Sequence, residues 1–245
     1  MKRVVLLLLL VVACRKPETP MPIPANGVAL WLIADEAKPD AWTNPLVPGV
    51  DAKAASADER PAIVPNALNG HAVVRFDGEN DMLKTSIGIG PTRMPDATII
   101  AVFRSSTAER SPLRKLYGND DGGFDRAVGL DDRAEAEKNY TLFTGMGVQG
   151  YFHLEADKTY VTVDQFSAKA FSGWVNGKAT LTNIEAPWAN EGLPNLYLGN
   201  TGTVFHEMWK GDLAEIIVYA RHLTAEERAR VEDYLAGRYQ IALAR

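Results

Sequence analysis

The 245-residue sequence contains a single cysteine, Cys14, so neither an internal disulfide nor a cysteine-built zinc cage can stabilise it. Histidine is also scarce: His71, His153, His206 and His222 show no His-x-x-x-His spacing, which argues against a catalytic zinc or a histidine-based triad. There is no Gly-x-Ser-x-Gly elbow and no Walker loop. Basic charge is nowhere concentrated. The net charge is -5 and the Lys and Arg residues are scattered, so the counterion release that drives nucleic-acid binding has no source, and nucleic acid is not an expected partner. No apolar run reaches the roughly 20 residues that a helix needs to cross a bilayer.

What remains is a chain with ample core material. A hydrophobic content of 46% beside 23% charged residues argues against disorder, and this length suits a single all-β domain.

The N-terminus reads as an address. Met1, Lys2 and Arg3 form a positive region, Val4 to Val12 an unbroken apolar stretch, and Val11-Val12-Ala13-Cys14 follows directly. This order resembles the lipobox of bacterial lipoproteins, although Val11 stands where that motif usually carries Leu. The resemblance implies a signal peptide over 1–13 and a lipid-bearing Cys14, with the bilayer as partner through acyl chains such as palmitate. An ordinary signal peptide cleaved elsewhere, or a buried free cysteine, are the plain alternatives. Arg15 follows the cysteine. By resemblance to the enteric sorting rule, in which Asp at that place retains a lipoprotein in the inner membrane, this points to the outer membrane. Residues 14–26 carry the lipid site and a tether with four prolines between Arg15 and Pro24, semi-rigid and with a reach of roughly 30 to 40 Å.

From Gly27 to Arg245 short β-rich runs alternate with Gly, Pro, Asn and Asp, which predicts one domain. Strands are expected at 29–33, 72–76, 82–85, 98–103, 127–130, 160–165, 170–175, 178–181, 195–198 and 213–219, with a long loop over 38–65. Asn176-Gly177 is the strongest hairpin signal, because a type I′ turn needs positive φ at both central positions. Near the end, Thr224-Ala225-Glu226-Glu227 is a capping box. Val231, Tyr234, Leu235 and Arg238 then share a helical face, so a C-terminal helix should lie on the sheets.

Several segments occur together in a characteristic order. They are Leu30-Trp31-Leu32-Ile33-Ala34-Asp35, Asn69-Gly70-His71-Ala72-Val73-Val74-Arg75-Phe76-Asp77-Gly78, Trp174-Val175-Asn176-Gly177-Lys178, and Lys210-Gly211-Asp212-Leu213-Ala214-Glu215-Ile216-Ile217-Val218-Tyr219. With Leu223-Thr224 and Tyr234-Leu235 they resemble the LamG-like jelly rolls of the concanavalin A-like lectin and glucanase superfamily, over about Gly27 to Ile241. The resemblance implies an all-β, two-sheet jelly-roll sandwich with a C-terminal α-helix packed on it. It does not fix a function, because the superfamily includes lectins, adhesion modules and hydrolases.

Three kinds of site are conceivable. The glucanase branch carries Glu-x-Asp-x-x-Glu on a strand, its outer glutamates serving as nucleophile and acid/base about 5 Å apart. Here Glu155-Ala156-Asp157 begins that motif, but Tyr160 occupies the second glutamate's place, so no catalytic residue is assigned. Glu215, flanked by apolar residues, is the other carboxylate whose pKa burial would raise; a structural role as a buried hydrogen-bonded residue is its plainer reading. Calcium is the possible cofactor, with Asp77, Asp81, Asn119, Asp120 and Asp121 as oxygen donors in two acidic loops, although Asp and Asn equally stabilise tight turns. Sugar binding would use exposed aromatics, and Trp42, Trp188 and Tyr151 are the candidates; Trp31 lies in an apolar strand and should be core. A loop tryptophan can also plug the edge of a sandwich. The expectation is a membrane-anchored binding module for a glycan or other envelope ligand. A structural lipoprotein contacting an envelope protein is the alternative, and a glycoside hydrolase comes third.

Overall fold

In a computed structural model, residues 21–202 and 205–244 are described. The expected signal peptide, Cys14 and the expected tether up to residue 20 lie outside them. The strands run β1 (Val28–Ile33), β2 (Trp42–Thr43), β3 (Asp51–Lys53), β4 (Ala62–Leu68), β5 (His71–Asp77), β6 (Leu83–Thr85) and β7 (Ala97–Ser105). They continue as β8 (Arg114–Gly118), β9 (Ala127–Leu130), β10 (Tyr140–Phe143), β11 (Val148–Phe152) and β12 (Thr159–Phe166). β13 (Ala170–Val175), β14 (Lys178–Glu185), β15 (Tyr197–Leu198), β16 (Lys210–Tyr219) and the helix α1 (Ala225–Tyr239) complete the chain.

Two antiparallel sheets form the sandwich. The first is ordered β14-β13-β12-β7-β16-β5-β4, with β1 sharing β16's edge beside β5; the second is ordered β11-β10-β9-β8-β15-β6-β3-β2. The fold is therefore an all-β, two-sheet jelly-roll sandwich with one C-terminal helix, as expected. Strand alternation builds two cores from the first sheet. On β7, Ile99, Ala101 and Phe103 face the second sheet, while Ile100 and Val102 face the other way and are covered by Val231, Leu235 and Tyr239 of α1. Thr224 caps the helix in a full capping box with Glu227.

Asn176 (φ 47) and Gly177 (φ 82) form the β13–β14 turn, both left-handed as that hairpin requires. Along β16 a bulge between Leu213 and Glu215 breaks the alternation. Glu215 thereby joins Ala214 on the helix side, where it accepts hydrogen bonds from Trp31 Nε1 (2.6 Å) and the Tyr239 hydroxyl (2.9 Å). Burial raises its pKa, and its role is to tie α1 to the sheet.

Two expectations change. Residues 38–65 are not one loop: β2 and β3 lie within them, and β4 begins there. The body also begins before Gly27, because Ile23 is buried in the core beneath α1 and Arg230 donates to the Met21 carbonyl. Residues 21–26, expected as the end of a tether, thus include a packed apolar side chain among prolines. Among the described residues no helix is long and apolar enough to cross a membrane.

Candidate ligand-binding site

All three aromatic candidates, Trp42, Trp188 and Tyr151, are buried, contrary to the expectation of exposure. Trp42 is 2% exposed and donates from Nε1 to the Ile33 carbonyl (2.8 Å). Trp188 is 5% exposed, with its ring beneath the Arg126 guanidinium (5.1 Å) and its Nε1 directed at the Phe143 carbonyl (3.3 Å). Tyr151 is buried between the sheets, where its hydroxyl donates to Asp164 (2.7 Å). None offers a ring face to a ligand. An aromatic in a short loop at a sandwich edge gains more from burial than from exposure, and each of these polar tips finds a partner inside.

The two acidic loops serve their own turns. Asp77 accepts from the backbone of Glu79 (2.8 Å) and Asn80 (3.3 Å), and Asp81 accepts from the Asp77 amide (2.8 Å). Burial opposes ionisation of Asp77, yet those amide donors outweigh it and lower its pKa. Asn119 donates to the Glu191 carbonyl (2.7 Å), Asp120 accepts from the Asp125 amide (2.8 Å), and the Asp121 amide donates to Asp125 (3.2 Å). Among the described residues no group of three or more His, Cys, Asp or Glu side chains is placed to hold a metal ion. The calcium assignment to Asp77, Asp81, Asn119, Asp120 and Asp121 gives way to turn chemistry. Glu155 is likewise a turn residue, ion-paired with Lys158 at 2.6 Å.

A site emerges instead on the far side of the second sheet. Val128 and Leu130 of β9 and Tyr140 and Leu142 of β10 belong to the core between the sheets, so the alternate residues Ala127, Gly129, Thr141 and Phe143 face away from it. Over that face lies a cavity of about 230 Å³ lined by Leu113, Asp120, Phe124, Arg133, Phe143, Phe205 and Glu207, with Gly122 at the rim. Its walls come from the β8–β9 and β9–β10 loops and the segment entering β16.

Beneath the walls sits a buried ion pair. Lys115 Nζ meets Asp131 at 2.7 Å, both side chains fully buried, and lies 3.9 Å from the centre of the Phe143 ring. Arg133 grips the same carboxylate with two bonds, Nε at 2.8 Å and Nη2 at 2.6 Å. Burial works against ionisation of Asp131, but Arg133 and Lys115 outweigh it and hold the carboxyl at about 2. Burial lowers the Lys115 pKa, and Asp131 counteracts this. The Arg133 guanidinium also rests against Phe124 (5.6 Å) and Phe143 (5.3 Å), which meet each other edge to face at 5.4 Å. Phe124 has φ 55, a left-handed backbone costing a residue with a Cβ roughly 1 to 3 kcal/mol, and its carbonyl accepts from the Gly145 amide at 2.8 Å.

Two further carboxylates and one ring line the cavity beside this pair. Glu207 is 9% exposed, and its Oε2 is buried with no hydrogen-bond partner. Asp120 is 4% exposed and shares the wall; burial raises the pKa of both. Phe205, with 37% exposure, is one of the two large hydrophobic side chains left open among the described residues. The sequence reading did not single out any of these lining residues except Asp120. The accessible signal was Phe205-His206-Glu207, an aromatic and an acid outside any alternating pattern just before a strand.

No family model and no curated protein matches the sequence. Solved structures do share the fold. A Trypanosoma rangeli sialidase matches at 18% identity and TM-score 0.58, over 84% of this chain and 32% of that one. The binding domain of Paraclostridial Mosquitocidal Protein 1 matches at 12% identity and TM-score 0.61, over 85% of this chain and 52% of that one. Domain 4 of AbnA, a GH43 extracellular arabinanase from Geobacillus stearothermophilus, in complex with arabinotriose, matches at 10% identity and TM-score 0.58, over 84% and 97%. The chain thus spans about a third of the sialidase but nearly all of the arabinanase domain. At these identities the likeness is one of fold: a two-sheet sandwich.

Proposed function

We propose that this chain is an exported lipoprotein, lipid-anchored through Cys14 to the outer membrane, whose LamG-like domain binds carbohydrate at the Phe205–Glu207 cavity without hydrolysing it. The observation that carries the reading is the cavity wall, where an exposed aromatic ring stands beside two buried carboxylates, one with an unused acceptor. Sugars present apolar faces to rings and hydroxyl donors to carboxylates, so this pairing matches their chemistry. The volume of about 230 Å³ lies below the roughly 300 to 1,000 Å³ of drug-sized pockets, which suits one sugar ring or a chain end. The arabinotriose-bound domain, 97% of which this chain matches, supports the reading. A docking face for an envelope protein is the weaker reading, since Phe205, one of the two large hydrophobics left open among the described residues, already belongs to the cavity wall.

A glycan array probed with the full-length chain in detergent, with and without calcium, tests this. Binding should be calcium-independent and should fall at least tenfold in Phe205→Ala, and reducing ends should stay at the no-protein background. Binding unchanged in Phe205→Ala would remove the cavity from the account. Turnover abolished by Glu207→Gln would make the protein an enzyme.

A further inference from the structure

We infer that the cavity selects a sugar bearing a protonated amine, with Glu207 as the group that meets the ammonium. This rests on the reading of the cavity as a sugar site and narrows it to one class of sugar.

The charges around the cavity are unevenly matched. Lys115 and Arg133 are the cations, and both are already held by one carboxylate, Asp131, at 2.7 and 2.6 Å. Asp120 and Glu207 have no cation within hydrogen-bond range: Lys115 acts on both only from farther off, and the closest cationic contact to a Glu207 oxygen is Arg133 at 4.0 Å. Asp121 and Asp125 stand in the same loop as Asp120 and add negative charge behind it. A ligand therefore enters a field with surplus negative charge at short range and low solvent exposure, where screening is weak.

Glu207 supplies the directional element. An ionised carboxylate only accepts, and Oε2, one of several unpartnered buried side-chain atoms among the described residues, belongs to the one such carboxylate that also lines this cavity. An ammonium seated against Glu207 brings three donors and a positive charge to its carboxylate as the side chain turns toward the cavity, and can lean on the open Phe205 ring. A neutral hydroxyl satisfies the oxygen but not the charge. An acidic sugar would place its carboxylate against Asp120 and Glu207, while Arg133 already gives Nε and Nη2 to Asp131 and lies against Phe124 and Phe143, leaving Nη1 as its remaining donor. The cavity thus opposes sialate-like and uronate ligands on charge grounds.

Calorimetric titration of the full-length chain in detergent at pH 7 tests the inference, using glucosamine, galactosamine, their N-acetyl forms, galactose and glucuronate. The free amines should bind at least tenfold more tightly than their N-acetyl forms, and glucuronate should not bind. Glu207→Gln should erase the difference between amine and N-acetyl sugar while leaving the melting temperature and near-ultraviolet dichroism in place. Asp120→Asn should reduce the difference in the same direction, so the test survives if one variant folds poorly. Equal affinity for amine and N-acetyl forms, or an amine preference that persists in Glu207→Gln, overturns the inference and leaves the sugar reading standing. Absence of binding by every sugar overturns both.

Discussion

Replacing Asp164 with Asn should change how stability depends on pH, because Asp164 is a carboxylate sealed between the sheets. It is fully buried on β12, accepts from the hydroxyls of Tyr117 on β8 and Tyr151 on β11, and has no cation beside it. Gly173 makes room for this arrangement, since a Cβ there would lie 2.3 Å from the Tyr151 hydroxyl. Burial pushes the carboxyl from 3.8 up to about 7, with the two tyrosines and Thr162 pulling the other way. Below pH 3.8 the group is protonated in both folded and unfolded chains and has no effect on stability. Between 3.8 and about 7 the unfolded chain ionises while the folded one keeps its proton, so stability falls as pH rises. Above about 7 the loss is complete, and at about 1.4 kcal/mol per pKa unit it amounts to about 4 kcal/mol. Asn keeps the shape without the charge. Urea denaturation followed by tryptophan fluorescence from pH 4 to pH 8 should therefore show near-equal stability at pH 4. The Asn variant should gain on the wild type by about 4 kcal/mol toward pH 8, or roughly 8 to 16 °C in melting temperature for a chain of this size. Asp131 and Asp125 titrate in both proteins and cancel in the difference. A difference that stays constant within about 0.5 kcal/mol over that range would refute the argument.

Arg126 is fully buried and donates to four carbonyls, those of Ile89, Met94, Pro95 and Ser167, so Arg126→Ala should cost at least ~3 kcal/mol in urea denaturation; a loss below ~1 kcal/mol would mean that water replaces the guanidinium. Metabolic labelling with a palmitate analogue should tag the wild type and leave Cys14→Ser unlabelled, and equal labelling of both would remove the lipid anchor from the proposal.

The sequence by itself determined the parts that follow from local rules. Strands β9 and β13 match the expected bounds, and β5, β7, β12 and β16 were found with frayed edges, because Val, Ile and Phe alternate there with little charge. The Asn176-Gly177 turn and the Thr224 capping box were legible from two and four residues, since backbone sign and orphan amides are decided within a turn. Trp31 was readable as core for the same reason, by its apolar neighbours. Strands β8, β10 and β11 were not legible. They belong to the second sheet, and β8 and β10 lie under the cavity, with Lys115 buried in β8 where a charged residue argues against a core strand. Only the tertiary structure decided the cavity itself. Asp120, Phe124, Arg133, Phe143, Phe205 and Glu207 span almost ninety residues and come from three loops and the end of β10, so no spacing in the sequence announces them. The same holds for Glu215, which one β-bulge turns away from the sandwich interior and toward the helix. Alternation predicts which residues a strand can bury; which carboxylate ends up beside which ring or cation is fixed by how strands distant in sequence pair.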